Sequence, residues 1–236
     1  MRNLHIFYIH YNVEGKGPNP YRPFWFDYEK CFQNLIKTIK DKNITLHVVM
    51  DETNGKITDN WISKYSNLFT PHQIQGGNME KVTIESYNII RNLNIPSTDL
   101  IYVLENDYLH TLDWVDKIKE LYQTFEGLTY VSLYDHNDKY FLPMYDTLTS
   151  KIFTTNSHHW RNTPSTCGSY ITTKQIFDED FYIHTGAEVP IGDHHKWLHL
   201  SSTKNRHVVT PIPGLSTHCM DNLLSPTINW KQINSL

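Results

Sequence analysis

The most constraining stretch of this chain is Leu100-Ile101-Tyr102-Val103-Leu104, an unbroken apolar run that leads straight into Glu105-Asn106-Asp107. A strand that is apolar on both faces needs both faces covered, which places it inside a parallel sheet flanked by helices. The surrounding pattern agrees. Residues 4–9 and 44–50 read as further strands, and residues 11–23, with Gly15, Gly17, Pro18, Pro20 and Pro23, read as a loop. From Asp27 to Lys40, the residues Cys31, Phe32, Leu35, Ile36 and Ile39 recur at helical spacing. Gly76-Gly77-Asn78 opens a second helix with Val82, Ser86, Ile89, Ile90 and Leu93 on its inner face. Thr111 is placed to cap a third, whose inner face carries Val115, Ile118, Tyr122 and Phe125. With a strand at 130–133, this alternation predicts an α/β fold, a Rossmann-like three-layer α/β/α sandwich with a mostly parallel central sheet. The second half has short strands at 151–155, 169–172 and 207–212 and a short helix at 193–200, which makes a smaller C-terminal lobe.

The chain has 236 residues, which suits a single domain, 1–236, made of a first half, 1–135, and a second half, 136–236. The formal net charge is −4 and no lysine or arginine run occurs, which argues against a nucleic-acid partner. Cys31, Cys167 and Cys219 are far apart and form no C-x-x-C, so neither a disulfide framework nor a cysteine zinc site is expected. The start of the sequence lacks the layout of a signal peptide, and no apolar stretch reaches the ~18 residues of a membrane span. A cytoplasmic location is the expectation. Phosphate loops of the G-x-x-x-x-G-K-[ST] type, G-x-G-x-x-G and G-x-S-x-G are all missing, which disfavours P-loop, dinucleotide and serine-hydrolase chemistry.

In open α/β sheets, ligands bind beyond the carboxyl ends of the strands. Glu105 and Asp107 emerge there, spaced i and i+2, so both can serve one hard divalent cation such as Mn²⁺ or Mg²⁺. Arg22, in the loop after the first strand, can pair with phosphate. Asp193 follows Gly192 and suits a helix N-cap. His195 and His199 share a helix face, but Lys196 stands where H-E-x-x-H zinc enzymes carry their glutamate. Trp25, Trp114, Trp160 and Trp197 are candidates for a stacking platform.

The stretch from Ile101 to His110, Ile-Tyr-Val-Leu-Glu-Asn-Asp-Tyr-Leu-His, resembles the strand and D-x-D-type motif of glycosyltransferases with the A-type, nucleotide-diphospho-sugar transferase fold. The resemblance extends to the layout of residues 1–220. It implies a nucleotide-sugar-binding first half and an acceptor-binding second half. It further implies that Asp107 and His218 hold the divalent cation, that Asp51, Arg22 and Glu105 contact the nucleotide, and that Asp193 is the catalytic base of an inverting transfer. The donor would be a nucleotide diphosphate sugar of the UDP type, and the acceptor a glycan or other hydroxyl. The sequence departs from the motif in having Glu105 first and Asn106 in the middle, which favours Asp107 as the ligand. The alternatives are a sugar-phosphate nucleotidyltransferase, or an inactive nucleotide- or carbohydrate-binding protein of the same fold.

Overall fold

The structure, a computed structural model, describes residues 2–11, 20–40 and 42–235. The Gly15, Lys16, Gly17 and Pro18 portion of the first loop lies outside them. Along the chain run β1 (Leu4–Tyr11), α1 (Tyr28–Ile39), β2 (Ile44–Asp51), β3 (Thr70–Ile74), α2 (Met79–Asn92), β4 (Leu100–Glu105), β5 (Tyr108–His110), α3 (Trp114–Thr124) and β6 (Tyr130–Val131). They are followed by β7 (Ile152–Thr154), β8 (His159–Thr163), β9 (Tyr170–Thr173), α4 (Lys174–Glu179), α5 (Phe181–His184), α6 (Asp193–Lys204), β10 (Val208–Ile212), β11 (Ser216–His218) and α7 (Trp230–Asn234). The fold is mixed α/β with mostly parallel pairing in its central strands.

The chain forms two compact units that interleave along the sequence. The first comprises residues 1–17, 43–106 and 167–206, the second 18–42, 107–166 and 207–236. In the first unit the strand order is β3-β2-β1-β4-β9. The first four are parallel and β9 runs antiparallel to β4. The apolar run is β4 itself, and none of its residues from Leu100 to Leu104 is more than 2% exposed. Only Glu105, at the carboxyl end, leaves that apolar setting. The order reverses between β1 and β4, and such a switch point opens a crevice at the strands' carboxyl ends. Helix α2 is capped by the Asn78 side chain on the Lys81 N–H and buries Val82, Ser86, Tyr87 and Ile90. Ile89 and Leu93, expected inside, are only half-buried, and Tyr87 takes inner space instead.

In the second unit β6 pairs parallel to β10, β10 antiparallel to β8, and β8 antiparallel to β7. A separate antiparallel ladder joins β5 to β11. Helix α1 starts with Asp27 accepting from the Lys30 N–H and buries Cys31, Phe32 and Leu35. Thr111 does not cap α3. It lies two residues too early, and its hydroxyl donates to the Asp113 carboxylate at 2.9 Å, which also pairs with Lys117. Trp114 and Trp160, like Trp197 of the first unit, are core residues. Trp25 alone of the candidate stacking tryptophans is partly open. Among the described residues, no helix is long and apolar enough to cross a membrane.

Both units bury neutral histidines. Burial lowers the pKa of His10 and of His47 to about 4, His47 with help from His72 and His5. It lowers His110 to about 3, and pushes His136 and His184 well below the ordinary value. Unfolded, each takes a proton near 6.5, so between that pH and the folded pKa the unfolded state binds more protons. Stability is therefore full above about pH 6.5 and falls as the pH drops, by up to about 1.4 kcal/mol per pH unit for each histidine. Urea denaturation at pH 7.5, 6 and 5 should show a steep, progressive loss of stability, and a flat profile would contradict this burial pattern.

Candidate functional site

The three-residue strands β5 and β11 explain how residues 111 positions apart meet. Their register sets His218 against Tyr108, with the two rings stacked 5.1 Å apart, and the Cys219 N–H donates to the Asp107 carbonyl at 2.9 Å. His218 Nε2 consequently lies 3.0 Å from Asp107 Oδ2. Arg22 completes the group, with one terminal nitrogen on Asp107 Oδ2 and the other donating to the Cys219 carbonyl at 2.8 Å. Its guanidinium also sits 4.9 Å over the Phe26 ring. Beneath lies an apolar cluster of Cys31, Leu109, Cys219 and Trp230.

Asp107 is 7% exposed. Burial by itself raises a carboxyl pKa, but His218 and then Arg22 outweigh it and hold Asp107 below its ordinary value. Arg22 is correspondingly raised, its own burial overcome by Asp107 and Tyr28. One acceptor is left over, since among the described residues the buried Asp107 Oδ1 has no hydrogen-bond partner. That orphan bears on the expected cation. Two adjacent ligands on an octahedral ion with bonds of ~2.1 Å lie about 3 Å apart, the spacing of Asp107 Oδ2 and His218 Nε2. Among the described residues, no group of three or more His, Cys, Asp or Glu converges as a metal cage. An acid–imidazole pair suits an ion that fills its remaining positions with water and substrate phosphates, as Mg²⁺ and Mn²⁺ do.

The other residues singled out in the sequence belong to the first unit. Asp51 ends β2, but its carboxylate is absorbed by the adjoining loops. Oδ1 accepts from the Thr53 N–H and hydroxyl and from the Gly76 N–H, and Oδ2 accepts from the Gly77 N–H. Gly77 has φ +76°, a conformation that lets its N–H turn toward the carboxylate at little cost to a glycine. Any ligand contact by Asp51 falls to Oδ2. Glu105 is half-buried at the end of β4, its N–H donating to Ser169 Oγ at 3.1 Å. A Cβ on Gly168 would lie 2.9 Å from Glu105 Oε1, so the loop before β9 passes directly over this carboxylate. Asp193 is the first residue of α6 and exposed. Gly192 takes the N-cap position, and no side chain caps the helix. Three residues on, Lys196 is 5% exposed. Sequence reading passed over Lys196, because a lysine inside a short polar helix gives no sign of being buried.

No known family profile and no characterised protein sequence matches this chain significantly. Solved structures do. One is a provisionally assigned glucose-1-phosphate thymidylyltransferase from Bacillus anthracis in complex with a sucrose, 11% identical over 98% of this chain and 94% of that one, TM-score 0.53. Another is CMP:2-keto-3-deoxy-manno-octonic acid synthetase complexed with CTP, 8% identical over 91% and 92%, TM-score 0.52. A provisionally assigned nucleotide-diphospho-sugar transferase from Desulfovibrio desulfuricans G20 aligns at 9% identity over 89% and 80%, TM-score 0.49. At such identities the likeness is one of fold. The chain has the nucleotide-diphospho-sugar transferase fold that the sequence led us to expect.

The hydrogen bonds of Asp51 define its structural role. Asp51→Asn would turn an amide toward the Gly76 and Gly77 N–H groups and leave at least one of them unsatisfied, at a cost of about 1–3 kcal/mol. Chemical denaturation of the variant should show this loss, and unchanged stability would mean that the loops do not depend on the carboxylate.

Proposed function

We propose that this protein is a metal-dependent, inverting glycosyltransferase that moves a sugar from a nucleotide diphosphate donor of the UDP type to an acceptor hydroxyl. The observation that carries the reading is Asp107, a buried, ionised carboxylate with one oxygen beside His218 and the other unpartnered. A divalent cation held by Asp107 and His218 would supply charge neutralisation to the departing diphosphate. Arg22, which now neutralises Asp107 through one nitrogen, would pair with a phosphate oxygen instead. Asp193, exposed at the start of α6, would accept the proton of the attacking hydroxyl. Glu105, and Asp51 through Oδ2, would contact the nucleotide.

The Arg22–Asp107 ion pair also supports a second reading, in which the arginine alone meets the phosphate charge and no metal is needed. The neighbours above support a third, nucleotidyl transfer to a sugar phosphate. Thermal stabilisation by nucleoside diphosphates, triphosphates and nucleotide sugars, with and without Mn²⁺, separates them. Glycosyl transfer predicts stabilisation by one base's diphosphate only with metal, slow donor hydrolysis, and release of nucleoside diphosphate. Release of pyrophosphate from a triphosphate would establish nucleotidyl transfer, and binding without any turnover an inactive binding protein. Asp193→Asn should lower transfer about 10²–10⁴-fold while leaving donor binding intact. Full turnover by that variant would remove Asp193 from the mechanism.

A further inference from the structure

Helices α1 and α7 border a groove in the second unit that takes in Trp25, the one open tryptophan of the four singled out in the sequence. Lys30 and Lys37, two turns apart on the exposed face of α1, line a cavity of about 470 Å³ together with Leu112 and Asp113 of the turn after β5. A second cavity, of about 480 Å³, is bordered by Trp25, Asn229, Lys231 and Gln232. Lys30 and Asn234 line both, so the two adjoin. Each volume falls within the range of about 300–1,000 Å³ usual for small-molecule sites. Neither is lined by Arg22, Asp107 or His218. Among the described residues, the lining holds three lysines against one carboxylate, and that carboxylate is engaged. Asp113 Oδ2 pairs with Lys117 Nζ at 2.8 Å, and Oδ1 accepts from the Thr111 hydroxyl at 2.9 Å. The groove is therefore positive on a chain of formal charge −4. The Lys231 ammonium stands 4.9 Å over the ring of Phe24, which is 87% exposed, a weak hold in water. Trp25 packs against the Cys31, Leu109, Cys219 and Trp230 cluster, and its carbonyl accepts from Asn234 Nδ2 at 2.9 Å. The buried Asn234 Oδ1 accepts no hydrogen bond among the described residues.

We propose that this groove binds an acidic oligosaccharide, with a uronate-type ring seated on Trp25. The site is separate from the Asp107 group, and its existence does not depend on the transferase reading. An indole offers a broad apolar face, which suits the C–H face of a pyranose. Ammonium groups only donate, and a carboxylate is the acceptor that also answers their charge. Hydroxyls both donate and accept, so they suit the Asn234 Oδ1 and the Gln232 amide. An acidic peptide brings the carboxylates without the hydroxyls, and a neutral glycan the hydroxyls without the charge.

Isothermal titration calorimetry on the full chain tests this with tetragalacturonate, maltotetraose, tetraglutamate and inorganic sulfate as probes. Tetragalacturonate should bind, and each of the other three at least about tenfold more weakly, one decade being the smallest step that separates the classes. Its affinity should fall as salt is raised, because the lysines are exposed. Lys30→Gln combined with Lys231→Gln should weaken it about tenfold, since each exposed ion pair is worth up to about fivefold. Trp25→Ala should remove most of the binding. Both lysines are exposed, so their double variant carries the comparison if Trp25→Ala, whose ring supports the core cluster, does not fold. Binding of maltotetraose, tetraglutamate or sulfate as tightly as tetragalacturonate, no binding of tetragalacturonate, or undiminished binding by either folded variant would overturn the proposal.

Discussion

The second unit is organised around keeping one carboxylate charged where water hardly reaches it. Asp107 would be neutral if burial alone acted on it, and it is ionised because His218 and Arg22 are held against it. Each partner is fixed by something else. The β5–β11 register holds His218, and the Cys219 carbonyl holds Arg22. The Cys31, Leu109 and Trp230 side chains pack beneath both. A buried ion pair of this kind seldom adds stability over apolar residues of the same volume, because the charges must give up their hydration. Stability therefore does not account for the arrangement.

Satisfied and unsatisfied polar groups sort the candidate residues more sharply than burial does. Asp51 and Asp107 are comparably buried carboxylates near strand ends, at 6% and 7% exposure. The first gives both oxygens to nearby N–H and O–H groups and works as a clamp between loops. The second keeps one oxygen without a partner. Clamps are explained by the fold they hold together.

What could be read from the sequence follows the strength of the local signals. The run of Leu100 to Leu104 and the periodic faces of α1, α2 and α3 are set by side-chain chemistry repeated over many residues, and they reappear at nearly the expected boundaries. Strands β5 and β11 are three residues each, too short for any periodicity, and so the contact of Asp107 with His218 could be reached only through the fold resemblance. Arg22 was placed near phosphate by its loop. Its hold on Asp107 depends on Cys219, nearly two hundred residues away, which no local pattern encodes. The Thr111 assignment failed for a related reason, since a capping residue is defined by where the helix begins, and Asp113 shifts that start by two positions.

The two transfer reactions weighed for this chain ask different things of its candidate residues. Both expel a phosphate group, so both need positive charge where it departs. They differ at the nucleophile. A sugar phosphate arrives already ionised and needs no base, whereas a sugar hydroxyl must shed a proton as it attacks. Asp193 stands where negative charge is favoured, at the N-terminus of the 12-residue helix α6, whose first N–H groups have no side-chain cap among the described residues.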